Sequence, residues 1–482
     1  MGMGGKMTIK FIKKASLYVV IIITLISLGL MINLNISDAE KIHVTSSQKM
    51  YVLIYFLLAL CAGYALYKVK DQKYFILGLF GVAFIIRLIW VLNINSQPVS
   101  DFTQMYKGAQ NILNGNTDLV RNSEYFRVWV YQLGFAFFQS NILRIFGDSI
   151  EVLKVTNAFI SACIPVVIFL ICNNLKRSKG SRIPALIYCF YVTSIAMTSV
   201  LTNQHLATLL IYIGLYIFMK YDKSYIGLIF FGIIISLGNV IRPEGIIVMI
   251  GIILFLIFKD FDNIRNIKVF AINNITKPML ILIVYMMTTT LVSATFKGMG
   301  LTDYNLGNRE PYWKFVVGLN VGHNGLWNPD DGDLVNKYSL GEERDEFEKK
   351  LIFKRLGNKE EIVKLFKRKF EYMWSGSDWG SISFALNYEE APKDLRQILL
   401  RTEKLQFIGI VILAFVSIII SIRKRIYLDN YHLFMILFIG YVLSHLIVEV
   451  QTRYRYFIIP CMIILTAEVF TTVLNLAESN ER

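Results

Sequence analysis

Twelve stretches of this chain are each long and apolar enough to cross a lipid bilayer, and no other feature limits the fold so strongly. A spanning helix needs roughly 20 mostly apolar residues, with about 17 as a floor. The runs are 15–34, 50–68, 74–94, 153–174, 183–200, 203–220, 225–241, 243–259, 278–297, 405–422, 431–449 and 455–474. Backbone left unsatisfied cannot sit in lipid, so the segments between them must lie in water or pack on the membrane surface. The expected fold class is therefore an all-α polytopic membrane protein. It has about twelve transmembrane helices, interfacial helices and an outer helical loop region. Hydrophobic residues make up 55% of the chain and charged residues only 18%, too little polar surface for a water-soluble enzyme of this length.

The first run is too long for a signal peptide core, and no small-residue cleavage site follows it before Asn33 and Asn35. Fifty Lys and Arg against 35 Asp and Glu give a net charge of +15. In a spanning protein that excess points to cytoplasmic loops and anionic lipid rather than to nucleic acid. Cys61, Cys163, Cys172, Cys189 and Cys461 all lie in apolar runs without a CxxC pair, so neither a disulfide framework nor a zinc site is expected.

Residues 128–146 are apolar but interrupted by Gln132, Gln139, Asn141 and Arg144. If this stretch spans, every later basic loop falls outside. If it lies along the interface as an amphipathic helix, the basic clusters all fall inside: Lys6–Lys14, Lys68–Lys73, Lys176–Arg182, Lys220 and Lys223, Lys259–Lys277, and Arg423–Arg425. The second arrangement is self-consistent. It places both termini in the cytoplasm of a multi-pass cell-membrane protein, with 95–152 and 298–404 outside. The organisation is then a core over 1–297 carrying the first outer loop 95–152, an outer cap over 298–404, and C-terminal spans over 405–482. Within the cap, Ile362, Leu365, Phe366, Phe370, Met373 and Trp374 repeat at a helical period, and Glu360 with Lys364 forms an i,i+4 pair. Glu342–Leu356 reads as a second, weaker amphipathic helix.

Polar residues at the outer ends of the spans are the candidates for chemistry. Asp101 follows the third span. It suits a general base that takes a proton from an incoming hydroxyl, and Ser100 and Asp101 equally suit capping of the helix that follows. In Asn239–Gly245, Pro243 and Glu244 make a good helix start, and Arg242 either snorkels or holds a phosphate. Between the last two spans, Glu449, Gln451, Arg453, Tyr454, Arg455 and Tyr456 place two arginines outside, against the charge bias. An anionic headgroup or a phosphate leaving group accounts for them, whereas Tyr454 and Tyr456 also suit an aromatic belt. His205, in the turn Asn203-Gln204-His205, sits where a cap or a buried hydrogen-bond partner is commoner than a catalyst. There is no P-loop, GxGxxG, HExxH or GxSxG, and five scattered His argue against a His-built metal centre.

Together these segments resemble the membrane-embedded GT-C glycosyltransferases, in particular the bacterial protein-mannosyltransferase and aminoarabinose-transferase type (glycosyltransferase family 39). The matching elements are Ser100-Asp101-Phe102, the Ile145-Phe146-Gly147 ending, Asn203-Gln204-His205-Leu206-Ala207, and Arg242–Gly245. Gly318-Leu319-Asn320 with Gly325-Leu326-Trp327-Asn328, and Glu449–Tyr456, complete the set. Asp101-Phe102 stands where the mannosyltransferase branch often has Asp-Glu, and Gln204 where relatives often have Glu. The resemblance implies a polyprenyl-phosphate-sugar donor and an acceptor hydroxyl on a glycan, glycolipid or protein. Transfer would be inverting, on the extracytoplasmic face. Asp101 would be the base, Arg242 with Arg453 or Arg455 would bind the donor phosphate, and Tyr106, Glu244, His205, Glu449 and Tyr456 would support them. No cofactor is required, and a divalent metal is possible without support from the residues. Two other functions compete: an envelope polysaccharide polymerase or ligase using a diphosphate-linked donor, and a transporter of lipid-linked sugars. A transporter needs a polar path, for which Arg87 is the one intramembrane charge.

Overall fold

The computed structural model describes residues 3–39, 44–175, 180–259, 271–387, 392–423 and 429–480, with side chains at the edges of these ranges left out. Among the described residues all regular structure is helical. Eight helices are long and apolar enough to cross a membrane: Lys14–Asp38, Ser46–Tyr67, Gln72–Asn93, Ile150–Asn174, Ile272–Gly298, Asp394–Arg423, Asn430–Ile447 and Thr452–Ser479. Tyr225–Ile241 and Gly245–Lys259 are apolar but shorter, and Gln204–Tyr221 has polar ends.

The expected span 183–200 is not one helix. It divides into Arg182–Cys189, Val192–Ala196 and a 3-10 turn Met197–Ser199. Hydroxyls explain why a break is tolerated there. Ser194 Oγ donates to Tyr191 O (2.8 Å), Thr198 Oγ1 to Ile195 O (2.6 Å) and Ser199 Oγ to Ala196 O (3.0 Å). Arg87 completes the repair from the neighbouring helix. Its guanidinium donates to Cys189 O at 3.1 Å, to Ser194 Oγ at 2.8 Å, to Ser161 Oγ at 2.9 Å and to Ala83 O at 3.0 Å. Freed backbone groups at membrane depth persist only when protein groups re-satisfy them in this way.

The helix ends gather at two poles. At one pole Arg182 donates to Tyr67 O and Lys70 O (2.8 and 3.2 Å), and Lys259 pairs with Asp222 at 2.6 Å. Lys68, Lys70 and Lys223 lie in the turns there, and Lys73 and Lys220 at the adjoining helix ends. Of the basic clusters read from the sequence, 176–179, 260–270 and 424–428 fall outside the described residues, as do the side chains before Lys14. At the other pole Lys154 reaches Ile94 O (3.4 Å), Asn157 Nδ2 donates to Val200 O (2.8 Å), and Lys404 pairs with Asp38 (2.8 Å).

The two long loops cover this second pole. The stretch 128–146 ends in the helix Leu133–Phe146, 14 residues or about 21 Å at 1.5 Å per residue, too short to span. It lies against Asp101–Leu113, with Phe126 filling the space beside Gly108. Gly134 approaches Val240 so closely that a Cβ would stand 2.3 Å from its carbonyl oxygen. In the cap, the two expected helices run Glu342–Leu356 and Lys359–Trp374, and Lys364 pairs with Glu360 at 2.7 Å. The second helix buries Ile362, Leu365, Met373 and Trp374, and Asn35 Nδ2 of the first long helix donates to Trp374 O at 2.6 Å.

Replacing Arg87 by Met takes a charged donor from the Cys189 carbonyl and from the Ser161 and Ser194 hydroxyls in a low-dielectric interior. We expect Arg87→Met to lose at least about 2–3 kcal/mol of stability, the cost of buried groups deprived of a charged donor. Thermal unfolding in detergent micelles checks this.

Candidate active site

The turn after Tyr225–Ile241 is fixed by hydrogen bonds before any ligand is considered. Arg242 Nε pairs with Glu244 Oε1 at 2.7 Å, and its NH1 donates to Asn203 Oδ1 at 3.0 Å. Asn203 Nδ2 in turn donates to Gln132 Oε1 (3.1 Å) and Ile241 O (3.2 Å). Three separated stretches of chain are thereby tied together around one guanidinium. Burial works against the charged form of Arg242, yet Glu244 and Tyr454 outweigh it and raise its pKa. Burial raises the Glu244 carboxyl, with Arg242 opposing, and Glu244 Oε2 is buried without a partner.

The 3-10 turn Thr452–Tyr454 that opens the last span supplies a second guanidinium. Arg453 Nε donates to Gln451 Oε1 at 2.5 Å, and Gln451 Nε2 donates to Glu449 Oε1 at 2.6 Å. The other Glu449 oxygen takes the ammonium of Lys314. Burial acts to raise the Glu449 carboxyl, but Lys314, Gln451 and Arg453 outweigh it and hold it below the usual carboxylate range. Arg453 lies over the rings of Phe384, Phe102 and Tyr454 at 4.9, 5.4 and 5.6 Å. Arg242 lies over the Tyr454 ring at 5.5 Å, so both cations flank one aromatic. Beyond the bonds given, NH1 and NH2 of Arg453 and NH2 of Arg242 make no hydrogen bond among the described residues.

Phe102, under Arg453, brings Asp101 to the same place. Asp101 is exposed and opens the helix Asp101–Leu113, where its charge suits the helix N-terminus. Ser100 makes no capping bond, and its φ of +51° is strained for a residue with a Cβ. Thr103 Oγ1 donates to Pro98 O at 2.7 Å and clamps this turn.

Two tyrosines stand in the middle. The Tyr125 hydroxyl is buried and has no hydrogen-bond partner. Burial foremost, then Asp101 and Tyr131, push its pKa up, while Arg453 and Arg242 oppose. Tyr131 is likewise raised by burial; Lys314 and Arg242 lower it and Asp101 and Tyr454 raise it. Asp101, Arg242, Arg453 and Lys314 therefore all bear on these two hydroxyls.

Not every candidate joins this group. Arg455 is buried against Glu403 at 3.3 Å and lies over Phe407 at 4.5 Å, in a separate interior cluster with Asp378 and Tyr191. His205 bridges the Tyr456 hydroxyl (2.6 Å) and Met197 O (2.9 Å), and Tyr188 donates to Tyr456 at 3.3 Å, an interior chain below the cluster. Tyr106 turns to Asp148 (3.5 Å) and Gln110. Lys314, Tyr125 and Tyr131 escaped the sequence reading. The available signal for Lys314 was the one that singled out Arg453: a cation in a segment expected outside.

The Gly318–Asn328 motif proves to be scaffold. Asn320 and Asn328 donate to Asp331 Oδ2 at 2.9 and 3.0 Å, and Arg355 pairs with Asp331 at 2.5 Å. Gly318 has no room for a Cβ beside Val448, and Gly325, at φ +71°, accepts from Val450 N at 3.1 Å. Lys369 locks the assembly, donating to Gly318 O, Leu446 O and Val448 O at 2.6, 2.7 and 2.8 Å. Burial pushes its pKa down to about 7, with Glu449 opposing. Among the described residues no three His, Cys, Asp or Glu side chains converge as a metal site.

Residues 133–288 match the family of dolichyl-phosphate-mannose-protein mannosyltransferases, membrane glycosyltransferases of the GT-C type. The matched stretch contains Asn203, His205, Arg242 and Glu244 and covers roughly a third of the chain. No curated protein matches the chain.

Because the Glu449 carboxyl is depressed, its tie to Lys314 stabilises the fold at neutral pH and is lost only as pH falls through and below the ordinary carboxylate range, about pH 4. Glu449→Gln is expected to bring that loosening to neutral pH. Protease cleavage within 298–404 should then be faster in the variant at pH 7 and should converge with wild type on acidification.

Proposed function

We propose that this protein transfers a sugar from a polyprenyl-phosphate donor to an acceptor hydroxyl, on the extracytoplasmic face and with inversion at the anomeric carbon. What carries the reading is the meeting of Asp101, Arg242 and Arg453 around Tyr125. The side of the membrane follows from the basic turns at the opposite pole, and the remaining apolar segments complete twelve crossings. In this mechanism the acceptor oxygen attacks the anomeric carbon from the exposed side of Asp101, which takes its proton. The bond from that carbon to the phosphate oxygen breaks on the far side. The free N–H groups of Arg453 and Arg242 receive the charge that develops on the lipid phosphate. Such preorganised donors commonly contribute about 3–4 kcal/mol each. These guanidinium groups carry the leaving group in this scheme.

Glu244 neutralises Arg242 and Glu449 neutralises Lys314, whereas Arg453 is held by the neutral Gln451. Arg453 is thus the guanidinium whose terminal N–H groups are left for a phosphate. A transporter gains no support from Arg87, whose donors serve the broken helix.

In membranes supplied with a polyprenyl-phosphate sugar that the wild type uses, Asp101→Asn should lower transfer at least about tenfold with expression intact, since general-base work contributes roughly 10²–10⁴. Arg453→Met should cost about 10²–10³. Near-wild-type turnover in Asp101→Asn would remove the base, and near-wild-type turnover in Arg453→Met would remove the phosphate clamp.

A further inference from the structure

Glu348, on the helix Glu342–Leu356, is fully shielded from solvent. Among the described residues no N–H or O–H group donates to either of its carboxyl oxygens. Its side chain meets instead that of Glu310, itself buried, in the turn before the helix Trp313–Gly318. Asp345, one turn back, holds a buried oxygen that is likewise without a donor. The cation among them is Arg344, whose NH1 donates to Glu310 Oε1 at 3.1 Å while Nε and NH2 go to Tyr338 O at 3.1 and 2.9 Å. Three carboxyl groups thus face one guanidinium. Fully ionised, they would leave two negative charges uncompensated in a site largely closed to water, a cost that such groups escape by keeping a proton.

A single proton answers both problems. A neutral Glu348 carries an O–H that can donate to Glu310, and one of the two excess charges is gone. Burial foremost, then Glu310 and Asp345, push the Glu348 carboxyl up to about 8, with Arg344 opposing. Burial also raises Glu310, against Arg344. The charges on neighbouring elements are engaged elsewhere: Lys349 lies over the Tyr312 ring at 4.9 Å, Arg355 pairs with Asp331, and Lys314 pairs with Glu449. Around the acids, Tyr338 stacks on Phe347 at 4.1 Å, and Phe347, Leu351 and Ile352 pack on Trp313, Val316 and Val317. The turn beneath the helix also reaches the site. Trp313 N donates to Glu310 O at 3.3 Å at the start of the helix that carries Lys314, and Tyr131 N donates to Gly307 O at 3.2 Å.

We propose that Glu310 and Glu348 hold one proton between them, that this proton latches the helix Glu342–Leu356 onto the turn leading to Lys314, and that the latch loosens as pH rises. A closed latch keeps its proton up to about pH 8, whereas Glu348 exposed to water gives it up above about pH 4. Opening therefore becomes easier from about pH 4 upward, by up to about tenfold per pH unit, and levels off above about pH 8. Lys369 on the next helix acts the other way: burial depresses its ammonium to about 7, so it gains a proton on opening and favours opening as pH falls. Glu449, held low, stays ionised across the neutral range. The latch stands independently of the sugar donor and makes the cap responsive to the pH of the water around it.

The test is limited proteolysis of the full-length protein in detergent with divalent ions chelated, read as cleavage within 342–356. A synthetic peptide of residues 338–358, digested alongside, corrects for the protease's own pH dependence. Cleavage through transient opening tracks the open population when reclosing is fast. Relative to the peptide, wild-type cleavage should rise at least about tenfold between about pH 5.5 and 7.5 and flatten near about pH 9. Glu348→Gln keeps an N–H donor for Glu310 and has no proton to lose, so its ratio should change less than about twofold over the same range. Wild-type cleavage that stays flat would overturn the latch, as would a folded Glu348→Gln variant that keeps the wild-type slope. A slope that vanishes on adding calcium would put a cation in the proton's place and overturn it too. A Glu348→Gln variant cleaved like the peptide at every pH has not folded, and the wild-type slope then decides alone.

Discussion

Charge cannot be left uncompensated near a bilayer, and that constraint shapes the polar end of this molecule. Glu244 answers Arg242 and Glu449 answers Lys314, while Gln451 and three aromatic rings hold Arg453. Because desolvation costs several kcal/mol per ion, each pair contributes less stability than its short distance suggests. What the pairs provide is position. They fix the two guanidinium groups on either side of the Tyr454 ring. The same constraint governs the interior, where Arg87 and a row of hydroxyls make a broken helix tolerable.

Much of the helical plan was legible because hydropathy reports directly on what lipid demands. The helices Glu342–Leu356 and Lys359–Trp374 lie where periodicity put them: the second buries one stripe, and the first packs the half-buried Phe347, Leu351 and Ile352. The run 183–200 misled because hydropathy sums side chains and is blind to Ser and Thr hydroxyls, which satisfy backbone either within a helix or at a break. Ser194 also accepts from Arg87, more than a hundred residues away, and no local pattern reports that bond.

The site was legible in part. Arg242 and Arg453 stood out as cations where the charge bias disfavours them, and Asp101 as an acid at an apolar boundary. Nothing local separates Arg453 from Arg455, two residues on. The chain passes from a 3-10 turn into α-helix between them, so one guanidinium meets Phe102 and the other turns inward to Glu403. Tyr125 and Tyr131 carry no local signal. Their importance comes from which charges surround them, and that is a tertiary property. The motifs at Gly318–Asn328 were visible, yet they are framework: they hold Asp331 and Arg355 and carry Lys314 on the short helix before them.

Lys369 has a consequence that reaches beyond packing. Its single ammonium grips the loop at Gly318 and the frayed carbonyls of the helix Asn430–Ile447, two residues from where the strand of chain bearing Gln451 and Arg453 departs. The cap and the penultimate span are thus one mechanical body with a shared hinge pin. Lateral force on the cap is delivered as torque to the Arg453 loop, and a lesion at position 369 would be felt as slack at a guanidinium that Lys369 never touches.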